Sequence, residues 1–184
     1  MHDLLSQAQD KMQKSVAVLH EELQTLRAGR ATPALVEKLP VEYYGTPTPL
    51  QQVAQISAPE PRLLVIQPWD KQLLPLIEKA ILKSELGLSP ASDGNLIRLQ
   101  IPQLTEERRK ELVRVLHKKA EDEKVAVRNV RRDALEHLKA EQKQAKISED
   151  ELRRLQDELQ KLTDHAIGEI EQATAAKEKE ILSV

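Results

Sequence analysis

Lys124, Arg128, Arg131 and Arg132 are the residues of this 184-residue chain whose types and spacing point most directly to chemistry. At 100° per residue, with Val127 set to zero, they fall at about 60°, 100°, 40° and 140° around a helix, while Val127, Val130 and Ala134 fill about 300° to 360°. Four cations thus share one arc away from the apolar stripe, and no acid between positions 124 and 132 joins them. The planar fork of arginine suits bidentate phosphate contact, and crowded like charges cost helix stability that a polyanionic partner would offset. The alternative is a solvated face paired to acids on a third helix. Arg27 and Arg30 flank Gly29. The helix macrodipole accounts for a cation at the end of the first helix, Arg27, but not for Arg30 beyond it. Arg108, Arg109 and Lys110 stand among Glu106, Glu107 and Glu111, where local pairing is the expected role.

Other chemistry is hard to find in the sequence. There is no cysteine, so thiol catalysis and disulfide scaffolds are excluded. His20-Glu21-Glu22-Leu23-Gln24 approaches the H-E-x-x-H zinc pattern but ends in glutamine, so no metal ligand set is assigned. The five glycines are dispersed and cannot form a phosphate-cradling loop, so the chain is expected to use no nucleotide cofactor and to be no enzyme. Phe is absent, and Trp69, Tyr43 and Tyr44 are the only aromatics, which argues against a base-stacking sheet for single-stranded RNA.

The cationic arc must be carried by a long helix. From Thr105, an expected N-cap, the apolar residues Val113, Leu116, Ala120, Val127, Val130 and Ala134 recur at steps of three, four and seven, with no breaker before about Lys143. Leu5, Met12, Leu19 and Leu26, with Val16 and Leu23, stripe a first helix from Asp3 to Arg27 that ends at Gly29. Ser148-Glu149-Asp150-Glu151 fits a capping box, and Leu152, Leu155, Leu159, Leu162, Ala166, Ile170 and Ala173 stripe a third helix. Such helices need one another in water, so residues 1–29 and 105–184 are expected to form a three-helix bundle. Residues 34–104 hold nine of the ten prolines and short apolar runs, so residues 30–104 read as an inserted β/α/β domain. Its expected parts are a strand at Val41-Tyr44, a turn at Gly45-Thr46-Pro47, strands at Leu50-Ser57 and Leu63-Ile66, a helix over Leu73-Leu86 stopped by Gly87, and a strand at Ile97-Ile101. The fold class is α+β. The chain crosses between domains twice, at Gly29, Ala31, Thr32 and Pro33 and at Pro102, Gln103, Leu104 and Thr105, which makes a hinge plausible beside the alternative of a fixed angle.

Net charge is −2, yet residues 108–132 hold ten basic and four acidic side chains, and acids outnumber bases after Asp133. No apolar run approaches the roughly 20 residues that span a bilayer, and the start lacks a basic apolar leader, so a cytoplasmic protein without membrane contact is expected. As a monomer it could serve as a phosphate-binding factor. The competing reading is a non-catalytic coiled-coil adaptor or scaffold, which would self-associate through its stripes.

Five stretches, in order, resemble the ribosome recycling factor family: Arg27 to Pro33, Val41 to Leu50, Lys79-Ala80-Ile81 with Ser84 to Pro90, Leu104 to Lys110, and Val125 to Asp133. The departures are Glu85 and Ser89, where the family usually has Asp and Asn, and Lys38-Leu39-Pro40 before the first strand. What the resemblance implies is an L-shaped, tRNA-mimicking, two-domain translation factor that binds large-subunit rRNA. In that family, elongation factor G hydrolyses GTP and pushes on the factor, splitting the post-termination bacterial ribosome for reuse. By the same resemblance, Arg128, Arg131 and Arg132, with Arg27 and Arg30, match the residues facing rRNA, and the hinge lets the insert swing toward elongation factor G.

Overall fold

The computed structural model describes residues 2–26 and 29–183, which divide into two compact units, residues 2–26 with 106–183 and residues 29–105. The chain is α+β. Arg27 lies outside the described residues.

In the first unit three helices, α1 (Asp3–Thr25), α3 (Glu106–Lys143) and α4 (Glu149–Leu182), pack pairwise on one another. The seam buries Leu5, Met12 and Leu19 of α1, Leu116, Val127 and Leu138 of α3, and Leu155, Ala166 and Ile170 of α4. On α3 the buried residue of the first turns is Leu112, and Val113 is half-buried. The expected stripe was one residue out of phase there because both side chains are apolar and only packing distinguishes them. α1 ends two residues short of the expected Arg27, since Leu26 turns to extended backbone (φ −75°, ψ 117°) and its N–H bonds back to Leu23. Ser148 caps α4 as expected, its Oγ accepting from the Glu151 N–H at 3.1 Å.

α3 closes with Ala145 at φ 56°, the Lys146 N–H bonded to Glu141 O and the Ala145 N–H to Gln142 O. That is the paired 6→1 and 5→2 bonding of a Schellman cap, with alanine where glycine is usual.

The second unit holds a hairpin of β1 (Pro40–Tyr43) and β2 (Thr46–Pro49), and an antiparallel sheet ordered β3-β4-β6-β5. The sheet strands are β3 (Ala54–Glu60), β4 (Leu63–Pro68), β5 (Pro90–Ser92) and β6 (Ile97–Gln100), with α2 (Leu74–Lys83) packed on the core. Val41, Leu64, Ile66, Ile77, Ile81, Ile97 and Leu99 form that core, each with essentially no exposure.

Three expectations change here. The hairpin turn is the two residues Tyr44 and Gly45, both at positive φ, so Thr46 and Pro47 belong to the returning strand. Leu50–Gln52 is a 3-10 turn before β3, so the strand expected at Leu50 starts at Ala54. α2 stops at Lys83, ahead of Gly87, because the Ser84 Oγ donates to Ile81 O at 2.6 Å and its N–H takes the last carbonyls. β2 and β5 were not anticipated. Among the described residues no helix is long and apolar enough to cross a membrane.

Candidate nucleic-acid interface

Helix α3 runs 38 residues, about 57 Å at 1.5 Å per residue, and carries the cationic arc near its middle. Its first turn has Glu106 and Glu107 at the positive end of the dipole and its last has Lys143. The arc is not uniform. Lys124 is mostly covered, with a side chain 20% exposed, and its Nζ lies 3.1 Å from Glu171 Oε1 on α4. For that residue the pairing alternative is the geometry found.

Arg128 donates from Nη1 to Glu121 Oε1 at 3.0 Å. Glu121 falls at about 120° on the same helix, inside the arc, and the sequence reading missed it because its window began at Lys124. Arg131 is half-buried and donates from Nη1 to Gln160 Oε1 at 2.8 Å, while Gln160 donates to Asp164 at 2.9 Å. The Arg131 Nε is buried with no hydrogen-bond partner among the described residues. Gln160 is neutral, so the Arg131 charge is held in place and left uncompensated. Arg132 is exposed and has no ion-pair or hydrogen-bond partner among the described residues. Lys139, at about 120° and exposed, extends the same strip toward the C-terminal end of α3, beyond where the sequence count stopped.

Arg128 and Arg132 are one turn apart, and Val125, 46% exposed, precedes them by three and seven residues on the same side. The arrangement can take successive phosphates along a backbone and offer an apolar spot beside them. Glu136, exposed one turn beyond Arg132 on α3, does not pair with it. Glu123, at about 320°, points toward α1, where burial and then Glu22 push its carboxyl above the usual range against a hydrogen bond from Ser15. It belongs to the packing of the bundle, not to the strip.

At the crossings, Gly29 takes φ 75°, a conformation that favours glycine, and Arg30 is exposed with no partner among the described residues. Ala31 is buried in the core of the second unit, its N–H bonded to Pro61 O at 2.7 Å, and Thr32 is extended before Pro33, which opens a 3-10 turn. On the return, the Ile101 N–H bonds to Arg62 O at 2.8 Å, Gln103 accepts from Arg62 at 3.4 Å, and α3 begins directly after Thr105.

The family model described as ribosome recycling factor matches residues 19–182. A ribosome-recycling factor of Desulforamulus reducens is 60% identical over 182 residues, covering 99% of this chain and 98% of that one. One from Bacillus subtilis is 56% identical, with the same coverage. A solution structure of a ribosome recycling factor superposes with a TM-score of 0.82 at 50% identity, covering 99% of this chain and 97% of the other. A second solved relative, from models of the T. thermophilus ribosome recycling factor and the E. coli elongation factor G bound to the E. coli post-termination complex, has a TM-score of 0.68 at 49% identity and covers 98% of this chain and 97% of its own.

Proposed function

Because this chain belongs to the ribosome recycling factor family, we propose that it binds the post-termination bacterial ribosome and, with elongation factor G, splits it into subunits. The energy comes from GTP hydrolysis by the partner; this chain makes and breaks no covalent bond and works in the cytoplasm as a monomer. The observation that carries the reading is the α3 strip of Arg128, Arg131 and Arg132, a row of three guanidinium groups of which only Arg128 pairs with an acid, on a chain of net charge −2. Localised positive charge on an otherwise acidic protein orients it toward a polyanion instead of binding any nucleic acid everywhere. Large-subunit rRNA is the polyanion, with Arg30 and Arg27 adding contacts at the end of α1 and Lys124 bracing α4 behind the strip.

The bundle supplies stiffness, since a helix of about 57 Å held on two flanks transmits force along its length. Gly29 on one crossing and Pro102, Gln103, Leu104 and Thr105 on the other form the pivot, with Ala31, Thr32 and Pro33 gripping the insert so that it swings as a body toward elongation factor G. The test is light scattering of purified post-termination ribosomes mixed with this protein, elongation factor G and GTP. A fall in scattering that requires all three components is the expected result. Retained co-sedimentation without any fall would leave a ribosome-binding protein of another kind, and loss of both would favour a coiled-coil adaptor.

A further inference from the structure

Helices α3 and α4 run antiparallel, and their facing edges carry a ladder of polar side chains with a period of seven. His117, Lys124 and Arg131 fall at about 80°, 60° and 40° on α3, in one line along the helix. Glu178, Glu171 and Asp164 repeat at the same interval on α4. In the first rung His117 Nε2 lies 3.2 Å from Glu178 Oε2, and in the second Lys124 Nζ lies 3.1 Å from Glu171 Oε1. One further heptad along each helix sets Arg131 opposite Asp164. An arginine–carboxylate pair is the expected third rung.

That rung does not close. Among the described residues Arg131 has no ion pair, and Gln160, one turn before Asp164 on α4, stands between the two. Its Oε1 accepts from Arg131 Nη1 at 2.8 Å, and its Nε2 donates to Asp164 Oδ1 at 2.9 Å. Only one orientation of the amide makes both bonds, with oxygen toward the guanidinium and nitrogen toward the carboxylate. The Arg131 Nε is buried without a partner, so the guanidinium is not forked onto an acid. The consequence is one of charge. In the first two rungs an acid meets the side chain across from it, whereas in the third the acid is taken up by a neutral amide, and Arg131 keeps its charge beside Arg132.

We propose that Gln160 is a positioning residue of the α3 strip: by occupying Asp164 it keeps that carboxylate off Arg131 and holds the guanidinium charged and oriented for a phosphate. The proposal rests on the ribosomal reading above and deepens it, since Gln160 acts through Arg131.

Gln160→Ala removes the amide at an exposed helix position where alanine is the best helix former, so the bundle still folds. Asp164 then reaches Arg131 directly and neutralises it. Titrations on purified post-termination ribosomes at several salt concentrations should give a salt slope smaller in magnitude by roughly 0.7 to 0.9, which weakens binding roughly fivefold to eightfold at about 0.1 M salt. Combining Gln160→Ala with Asp164→Asn removes the amide and the competing charge together. The slope should then return to within about 0.2 of the parent, with binding within about threefold because Arg131 is charged but no longer held. Melting curves supply the second readout. The single variant exchanges the amide tie for an ion pair and the double variant loses both, so the double should melt lower than the single while binding more tightly. A merely structural role for Gln160 would rank binding and melting in the same order.

A parent slope retained by Gln160→Ala overturns the proposal, and so does a reduced slope that Asp164→Asn fails to restore. In both cases salt-dependent binding by the parent protein leaves the ribosomal reading standing. Absence of binding by the parent overturns the two together.

Discussion

Arg131 and Arg132 are adjacent in sequence but differ in what surrounds them. Arg132 is exposed and partner-free among the described residues, so Arg132→Ala probes the proposed phosphate contact without breaking a pairing within the protein. Its expected effect is a fall of roughly 0.7 to 0.9 in the magnitude of the salt slope of ribosome binding, with the thermal midpoint unchanged. Arg131 also ties α3 to Gln160 of α4. Arg131→Ala should lower the slope by a similar amount and in addition cost about 1 kcal/mol of stability, below the roughly 1.5 to 3 kcal/mol of a hydrogen bond to a charged group because the site is only half-buried. Binding titrations at several salt concentrations, with melting curves on the same proteins, separate the two; an unchanged slope for Arg132→Ala would remove it from the interface. The arc was legible because helical spacing fixes angle. Its internal pairing was not, since Glu121 and Gln160 are seven and 29 residues from the arginines they hold.

Glu123 shows the opposite balance at the same scale. Burial and then Glu22 raise its carboxyl above the ordinary glutamate range, so the folded state keeps the proton more tightly than the unfolded one. The stability this group contributes is therefore complete below the unfolded value and is lost as pH rises through the raised folded value. Glu123→Gln should raise the thermal midpoint at pH 7 and change it little at pH 4. Equal gains at both pH values would show that charge is not the cause.

Within single helices, two positions have glycine and alanine placed against local preference. Gly168 lies in the interior of α4, and a Cβ added there meets nothing within 4 Å. Ala145 ends α3 at φ 56°, where glycine carries no steric cost. Gly168→Ala and Ala145→Gly should each stabilise the bundle by about 0.5 to 1 kcal/mol. Far-ultraviolet melting curves check this, and an additive gain is expected because the two sites share no partner. Helices α1, α3 and α4 were legible at this scale because apolar residues recur at the helical period over many turns. Thr163 and Thr174 were not seen as core, since only the structure shows their hydroxyls donating to Leu159 O and Ile170 O and so becoming buriable. β2 was missed because Thr46-Pro47-Thr48-Pro49 lacks the apolar alternation of a strand and pairs only with β1, so no buried sheet position is spoiled by its prolines.

For the whole molecule, the two units have separate cores, and the chain passes between them at Gly29 and again near Thr105. In the proposed function a push received by the insert reaches the bundle through these two crossings. Gly29 holds φ 75°, and proline fixes φ at about −65°, so Gly29→Pro must redirect the connection. The expected outcome is ribosome binding within about twofold of the parent, with the splitting rate down by at least about tenfold. Gly29→Ala serves as the graded control. Alanine tolerates the left-handed region at a cost of roughly 1 to 2 kcal/mol, so it should give an intermediate splitting rate with the same binding. Co-sedimentation and light scattering on the three proteins give the two readouts independently. If binding and splitting fall in parallel across the series, Gly29 acts on binding itself, and the pivot must be sought on the Pro102 to Thr105 crossing.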